Sequence, residues 1–411
     1  MTDGIDATRV EVIRPGLARD TALLLAAQVY YRAGGFVVLM VLSRTLAGTD
    51  LGVYLFALAS AEAFVVVASF ALDRVLMRRV AVAPECAARA ISAVMGFRIA
   101  ASPVYLASIL AVAWFSDWTI WPVMVVVAAI TLGECVYLSF SCLFLAVDRV
   151  DLSVKIGVTI QTLFLAVVVV AMWQTPSVET FLVVCGVRVV ALIGAGAAVS
   201  SRNVATVGLG WDGSLIREAI PFALLAFVMV IQDRADVLVV GWFTDYGEVA
   251  RYSLALRAVV ASLFLPLAVG QVWYPHLARL GPGPDSGRVI RRGVALLLLL
   301  GCAVMVGVGA WLGPVTTLLY GPLGPEVEPV LRLALPLFPL QFAAVFLGLA
   351  LQAISRERTV LIIFALGAAL GLALELVLVP RIGVTGAVAG RLAVAAGQLA
   401  VLMWVTARAV R

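Results

Sequence analysis

Histidine, lysine and cysteine are scarce in this sequence. The 411 residues include one histidine, His276, and one lysine, Lys155, so 28 of the 29 basic residues are arginine (29 − 1). A single histidine without neighbouring ligands cannot build a metal centre. The five cysteines show no Cys-x-x-Cys spacing, and most lie in apolar stretches. They are typical of small buried side chains without a disulfide or redox role. The sequence therefore predicts neither a metal site nor a cofactor.

Charged residues are also few. They make up 13% of the chain, about half the share of a soluble domain. Hydrophobic residues make up 63%, and the mean hydropathy is +1.10. A folded chain of this length cannot hide so much apolar surface from water, which excludes a soluble enzyme, a nucleic-acid reader and a disordered chain. The net charge of +5 does not indicate a nucleic-acid partner, because the arginines form no basic cluster. The composition predicts an all-α polytopic membrane protein.

Apolar stretches of membrane-spanning length recur about every 34 residues (411/12). Each can form a spanning helix of about 20 residues, and none has the strict alternation of a β-barrel strand. The twelve predicted spans are residues 17–46, 51–78, 87–115, 118–147, 151–173, 178–200, 215–242, 247–278, 289–313, 327–354, 359–379 and 384–406. The longest predicted loops, residues 201–214, 280–289 and 313–326, are too short for a soluble catalytic domain.

Basic residues are distributed unevenly between the two sides of the predicted bundle. Eighteen lie in the N-terminal segment and in every second loop or its flanks, at Arg9, Arg14, Arg19, Arg78, Arg79, Arg89, Arg149, Lys155, Arg202, Arg217, Arg279, Arg288, Arg291, Arg292, Arg356, Arg358, Arg408 and Arg411. Only Arg44, Arg251 and Arg381 lie on the other side. Because basic residues concentrate in cytoplasmic loops, both termini are predicted to be cytoplasmic.

The two halves of the sequence resemble each other. RAGGFVVL from Arg32 matches RADVLVVG from Arg234, and YLFALAS from Tyr54 matches YSLALRA from Tyr252. A weaker match pairs LAVDR (residues 145–149) with LQAISR (residues 351–356). The sequence therefore predicts two six-helix bundles, residues 1–205 and 206–411, related by a parallel pseudo-twofold repeat around a central cavity.

Several segments in order resemble one known family. They include LSRTLAGTDLGVYLFALA (residues 42–59), AIPFALLAFVMVIQDRADVLVVGWF (219–243) and LVLVPRIGVTGAVAG (376–390). These are similar to the polysaccharide biosynthesis and O-antigen flippase family of the multidrug/oligosaccharidyl-lipid/polysaccharide exporter superfamily. Glu375 departs from the family's sequence pattern, because many relatives carry an Asn near this position, before the Pro-x-x-Gly turn. Twelve spans make the fourteen-helix peptidoglycan lipid flippases of this superfamily a less favoured match.

The resemblance implies a non-enzymatic transporter in the bacterial inner membrane. Its substrate would be an undecaprenyl-pyrophosphate-linked oligosaccharide, moved from the cytoplasmic to the outer leaflet by alternating access. With no nucleotide-binding loop in the sequence, coupling to an ion gradient is the default expectation. Its partners would be the glycolipid, membrane lipids and other proteins of polysaccharide assembly, with no nucleic acid.

Six arginines lie within spans and have no carboxylate three or four residues away on their own helix. They are Arg32, Arg98, Arg188, Arg234, Arg257 and Arg391. A charge facing lipid costs about 2.5–3.5 kcal/mol, so these side chains must face each other or a water-filled space. Arginine binds phosphate oxygens through its planar fork and stays charged when desolvated. The hypothesis is therefore a cationic cavity for a pyrophosphate headgroup. Arg32 and Arg257 are the favoured ligands, because the resemblance places their helices beside the central cavity.

The alternative is that these arginines bridge helices through buried acids. The acids are Glu62, Glu134, Asp233, Asp236 and Glu375; of these, Glu62, Glu134, Asp236 and Glu375 are also candidates for ion coupling. By contrast, Arg332 has Glu328 at i−4 and is predicted to form a structural pair. Asp73 is expected to order Arg74 and the adjoining loop.

Other functions remain open on the sequence. A small-molecule antiporter of the same superfamily would export cationic compounds and should have an acid-rich cavity. A membrane-embedded polysaccharide polymerase or ligase would need a large outer loop with catalytic Arg and His. A non-transporting scaffold of a polysaccharide assembly complex is less compatible with unpaired arginines inside the membrane.

Overall fold

The computed structural model describes residues 17–409, and the regular secondary structure of this part is helical, without strands. Its α-helices are α1 (Leu17–Thr45), α2 (Gly48–Ser69), α3 (Leu72–Val82), α4 (Ala87–Phe115), α5 (Trp121–Ala146), α6 (Val150–Gln174), α7 (Val178–Asn203), α8 (Gly213–Phe243), α9 (Tyr246–Ser262), α10 (Phe264–Leu280), α11 (Pro284–Ala310), α12 (Leu312–Tyr320), α13 (Gly324–Ala334), α14 (Leu337–Ala353), α15 (Glu357–Ile382) and α16 (Val384–Ala409). Helices satisfy every internal backbone donor and acceptor within the segment, as a lipid environment requires. Arg9, Arg14 and Arg411 of the orientation prediction lie outside the described residues.

The number of spans agrees with the sequence. Residues 17–409 contain 11 helices long and apolar enough to cross a membrane, or 12 when the bent pair Leu312–Ala334 and Leu337–Ala353 counts as one span. The prediction of an all-α polytopic membrane protein with about twelve spans is confirmed.

Three details of the predicted spans are wrong. The span predicted over residues 51–78 breaks at Phe70 and Ala71, whose positive φ angles of 46° and 50° end α2 and start α3 in a new direction. Residues 313–326, predicted as a loop, form α12 and the start of α13, and the tenth span bends by 54°. The predicted loop at residues 280–289 is shorter, because α11 already begins at Pro284. Hydropathy does not detect the break at Phe70 and Ala71 or the bend of the tenth span, because apolar residues continue directly through both positions.

The helices of the two halves pack in the same pairwise pattern. In the first half α1 packs on α6, α4 on α5, α5 on α7 and α6 on α7. In the second half the corresponding pairs are α8 with α15, α11 with α14, α14 with α16 and α15 with α16. This correspondence agrees with the predicted parallel repeat, and the division at residues 205 and 206 stays a prediction.

The weaker sequence match between the halves coincides with a repeated turn. α5 ends with Asp148 at φ 59°, and the N–H of Arg149 donates to the carbonyl of Phe144 at 2.8 Å. α14 ends with Ser355 at φ 60°, and the N–H of Arg356 donates to the carbonyl of Leu351 at 2.9 Å. Both are left-handed helix-ending turns that satisfy a terminal carbonyl. LAVDR and LQAISR therefore encode the same local structure.

The two halves contact each other at both ends of the bundle, and more extensively at the end opposite the arginine-rich loops. We call the end that carries the arginine-rich loops after α3, α5, α7, α10, α14 and α16 the arginine-rich end, and the other the opposite end. Toward the opposite end α2 packs on α9 and α8. A Cβ on Gly52 would lie 1.6 Å from the carbonyl oxygen of Tyr246, so only glycine allows this approach. At the arginine-rich end α3 packs on the start of α8, where Arg79 bonds to Asp212 at 2.9 Å and to Glu218 at 2.5 Å.

Candidate functional site: two polar cavities

A polar cavity of about 270 Å³ lies in the first half. We call it the N-half cavity; its wall is formed by α1, α2, α5, α6 and α7 together with Arg257 of α9 from the second half. Its polar lining includes Tyr31, Tyr54, Glu62, Thr131, Glu134, Gln161, Arg188 and Arg257. A neighbouring space of about 410 Å³ shares Tyr31, Glu134, Gln161 and Arg188 with it. The first half therefore contains a polar region that one residue of the second half completes.

Arg257 lines the N-half cavity and has no carboxylate partner among the described residues. α9 buries one face, including Val249, Tyr252 and Leu256, against α2 and α13, and this packing fixes the position of Arg257. Among the described residues its guanidinium makes no ion pair or hydrogen bond. The hydroxyl of Ser253, one turn earlier, is buried without a partner. A cation inside a membrane protein with no carboxylate partner is ready to receive an anion.

Arg188 and Glu134 form an ion pair across the same cavity. Their closest atoms are 2.6 Å apart, and 24% of the Arg188 side chain and 45% of the Glu134 side chain are exposed. The guanidinium carbon of Arg188 also lies 4.9 Å from the centre of the Phe164 ring, a cation–π contact. Because the pair is partly solvated, it is weak, of the order of 0–1 kcal/mol.

A second cavity of about 320 Å³ lies wholly within the second half. This C-half cavity is lined from α8, α9, α14, α15 and α16, and its charged residues are Asp233, Arg234, Asp236, Glu375 and Arg391. Arg391 forms an ion pair with Asp236, whose side chain is 3% exposed, and the hydroxyl of Tyr252 donates to the same carboxylate at 2.7 Å.

Three glutamines complete the C-half cavity. Gln232, Gln341 and Gln398 line it, and each has a buried amide atom without a hydrogen-bond partner among the described residues. A buried unsatisfied amide costs about 1–3 kcal/mol, so these groups favour a polar occupant such as water or an ion.

One ion pair connects the two cavities and the two halves. Nε of Arg234 on α8 lies 2.5 Å from a carboxylate oxygen of Glu62 on α2. Glu62 lines the N-half cavity and Arg234 lines the C-half cavity. The pair therefore crosses the interface where the halves would have to move apart.

Arg98 and Arg32, the remaining two of the six predicted arginines, line neither cavity. Arg98 is 2% exposed and bonds at 2.7 Å to Asp73, which also accepts a hydrogen bond from Ser139 at 2.6 Å. The expectation that Asp73 orders Arg74 is wrong, because the buried Arg98 is the cation that needs compensation. Arg32 is exposed on α1, one residue after the cavity-lining Tyr31, and has no carboxylate partner in the described part of the chain.

The lining is not the purely cationic surface that we expected. Four arginines line the two cavities, together with five carboxylates when Asp233 is included. Arg188, Arg234 and Arg391 are paired with acids on other helices, which is the bridging alternative. Arg98 is also paired, but with Asp73, which was not among the acids expected to bridge helices. Arg332 does pair with Glu328 at 2.6 Å, as predicted.

Sequence reasoning did not select Tyr31, Tyr54 or the glutamines as site residues. The glutamines carry a usable signal, because an amide inside an otherwise apolar span is costly unless it faces other polar groups. Among the described residues, no group of three or more His, Cys, Asp or Glu side chains has an arrangement that could hold a metal ion.

Comparison with known proteins identifies the fold. No protein-family model and no curated protein matches the sequence. Lipid II flippase MurJ, in an inward closed conformation, has a TM-score of 0.70 at 12% identity, over 93% of this chain and 87% of that chain. An inward-facing multidrug resistance MATE family transporter of the MOP superfamily has a TM-score of 0.63 at 10% identity, over 91% and 94%. A MOP superfamily transporter from Pyrococcus furiosus, whose binding pocket is described as reversed in polarity, has a TM-score of 0.54 at 12% identity, over 95% and 94%.

The expectation that twelve spans make the fourteen-helix peptidoglycan lipid flippases a less favoured match stays a prediction. At these identities the likeness concerns the fold. The chain has the fold of the MOP superfamily transporters, as the sequence resemblance predicted at the superfamily level.

Proposed function

We propose that the protein is a transporter that moves a polyprenyl-pyrophosphate-linked oligosaccharide from the cytoplasmic to the outer leaflet of the bacterial inner membrane. The observation that carries the proposal is Arg257, which lines the N-half cavity from the other half and has no carboxylate partner within residues 17–409. A charge-assisted hydrogen bond to phosphate is worth about 1.5–3 kcal/mol. An anionic headgroup would therefore bind where the two halves meet.

A pyrophosphate carries more charge than one arginine neutralises, and Arg188 is the second ligand in our proposal. Its pair with the half-exposed Glu134 is weak, so exchanging the carboxylate for a phosphate oxygen costs little. Arg391 is unsuited to this role, because its partner Asp236 is buried and breaking a buried pair costs about 3–5 kcal/mol. Arg32, at the exposed edge of α1, would contact the headgroup as it enters.

Transport would proceed by alternating access of residues 1–205 against residues 206–411, with both termini cytoplasmic. The lipid tail would stay in the bilayer while the headgroup crosses between the halves. In this proposal the C-half cavity couples transport to an ion gradient, because Asp236 and Glu375 lie there beside the unpaired glutamine amides. Glu62 and Glu134 serve as exchangeable partners of the arginines.

A reconstituted assay tests this function. Purified protein in liposomes would be given a labelled polyprenyl-pyrophosphate oligosaccharide, and the fraction that reaches the other leaflet would be measured with an impermeant enzyme that cleaves the sugar. The same oligosaccharide on a neutral polyprenol is the matched control. We expect protein-dependent movement of the pyrophosphate lipid only. Equal movement of both lipids, or of neither, would refute the proposal.

A second candidate is an antiporter that exports cationic small molecules. It is favoured by one observation, the three carboxylates Asp233, Asp236 and Glu375 of the C-half cavity against two arginines. A lipophilic cationic dye in the same liposomes separates the candidates. Dye export driven by an ion gradient, without glycolipid movement, would establish the antiporter.

A further inference from the structure

A third cavity lies away from the two described above, at the arginine-rich end of the second half. It is a groove of about 640 Å³ between α11 and α16, with Leu347 of α14 at its floor. It shares no lining residue with the N-half or the C-half cavity. It is therefore a separate feature of the surface.

The groove is charged at one end and apolar along its length. Arg288 and Arg291 lie in the first turns of α11, whereas Val294 and Leu298 follow on the same face. Leu298 is seven residues beyond Arg291, which is about 10 Å along the helix at 1.5 Å per residue. α16 runs in the opposite direction and contributes Thr406 near the charged end and Met403 one turn deeper. The groove is thus amphipathic along the membrane normal, as a phospholipid is.

Its charge is complementary to an anion. Arg288 bonds only to Asp285 among the described residues, and both side chains are 68% exposed. Arg291 has no ion pair or hydrogen bond in this part of the chain, and Arg292 follows it. The charged end of the groove has two arginines and one solvated carboxylate, so its net charge is positive. A positive charge at this position attracts anionic lipid headgroups.

We propose that this groove binds an anionic phospholipid of the leaflet at the arginine-rich end. The phosphate bonds to Arg288 and Arg291, and one acyl chain lies along Val294, Leu298 and Met403. The site is independent of the transported substrate. A ligand that binds the folded state stabilises it in proportion to the logarithm of its concentration over Kd, so the bound lipid raises the unfolding temperature.

Native mass spectrometry of the full-length protein in detergent tests the site, with phosphatidylglycerol as the probe and phosphatidylcholine as the neutral control. Each basic residue near an anionic headgroup contributes to the free energy of lipid binding. The double variant R288Q/R291Q, which removes two of them, should therefore bind phosphatidylglycerol about 10- to 30-fold more weakly. R202Q, which removes an exposed arginine of the same end outside the groove, should bind as the wild type does. Equal binding in all three proteins would overturn the proposal.

A second variant tests the apolar part of the groove. Ala295 is exposed and lines the groove, so A295W fills the groove and leaves the arginines in place. We expect A295W to lose the lipid and its thermal stabilisation, as R288Q/R291Q does. If A295W still binds the lipid, the lipid contacts the surface arginines alone, and the proposal that it binds in the groove is refuted. Excess inorganic phosphate should not displace the lipid, and displacement would identify a phosphate site instead.

Discussion

Breaking the Glu62–Arg234 ion pair should weaken the contact between the two halves of the protein. The pair joins α2 to α8 across the interface of the halves, with side chains 35% and 39% exposed. Surface pairs are worth about 0–1 kcal/mol, and disrupting a buried pair costs about 3–5 kcal/mol. The Glu62–Arg234 pair is intermediate in burial, so we expect an intermediate cost. A loss of about 1–2 kcal/mol changes an equilibrium about 5- to 30-fold. E62Q and R234Q should each raise the population in which the halves have separated at the opposite end.

Spin labels on opposite halves measure this population. Thr49 and Thr385 are exposed at the opposite end, one in each half, and their distance can be recorded by pulsed electron paramagnetic resonance in a cysteine-free background. The double variant E62Q/R234Q should match the single variants, since the same interaction is lost. E328Q is the matched control, because it breaks the Arg332–Glu328 pair within α13. Wild-type distance distributions in E62Q and R234Q would refute the reasoning.

Three further outcomes follow from the described contacts. D73N leaves the charge of the buried Arg98 without a carboxylate partner and should lower the free energy of unfolding by about 3–5 kcal/mol. The measurement is the unfolding temperature in detergent, which should fall; an unchanged temperature would contradict the buried ion pair. Hydrogen bonds from Ser214 lower the pKa of Asp212, so its contribution is present above the ordinary pKa of about 4 and is lost as the pH falls through the lowered value. D212N and wild type should differ in unfolding temperature at pH 7, and the difference should shrink as the pH falls through the lowered pKa; a constant difference would refute this. G52V cannot fit against the backbone of α9 and should lengthen the distance between the two spin labels; an unchanged distance would contradict the close approach.

The sequence predicts the fold well because membrane spans are encoded locally. Length, apolarity and the periodic arginine-rich loops identify about twelve spans, and the LAVDR and LQAISR matches correspond to one repeated turn. The break at Phe70 and the bend before α14 are not predictable in this way, because apolar residues continue through both.

The site is predictable only in part, because partners on different helices leave no periodic signal. The sequence correctly showed that none of the six arginines has a carboxylate three or four residues away on its own helix. It did not pair Arg98 with Asp73, 25 residues away, or Arg234 with Glu62 in the other half. Arg32 and Arg257, the favoured ligands, are the two that remain without a carboxylate partner in the described part of the chain, and their role in binding stays a prediction.

The contact between Arg257 and an anionic headgroup is the central claim of this account. Its most direct test is the rate at which R257A, R257K and wild type move a polyprenyl-pyrophosphate oligosaccharide across liposomes at equal reconstituted amounts. Loss of one charge-assisted contact worth about 1.5–3 kcal/mol predicts a rate about 10- to 150-fold lower in R257A. R257K should retain an intermediate rate, since it keeps the charge without the planar fork. A wild-type rate in R257A would contradict the claim.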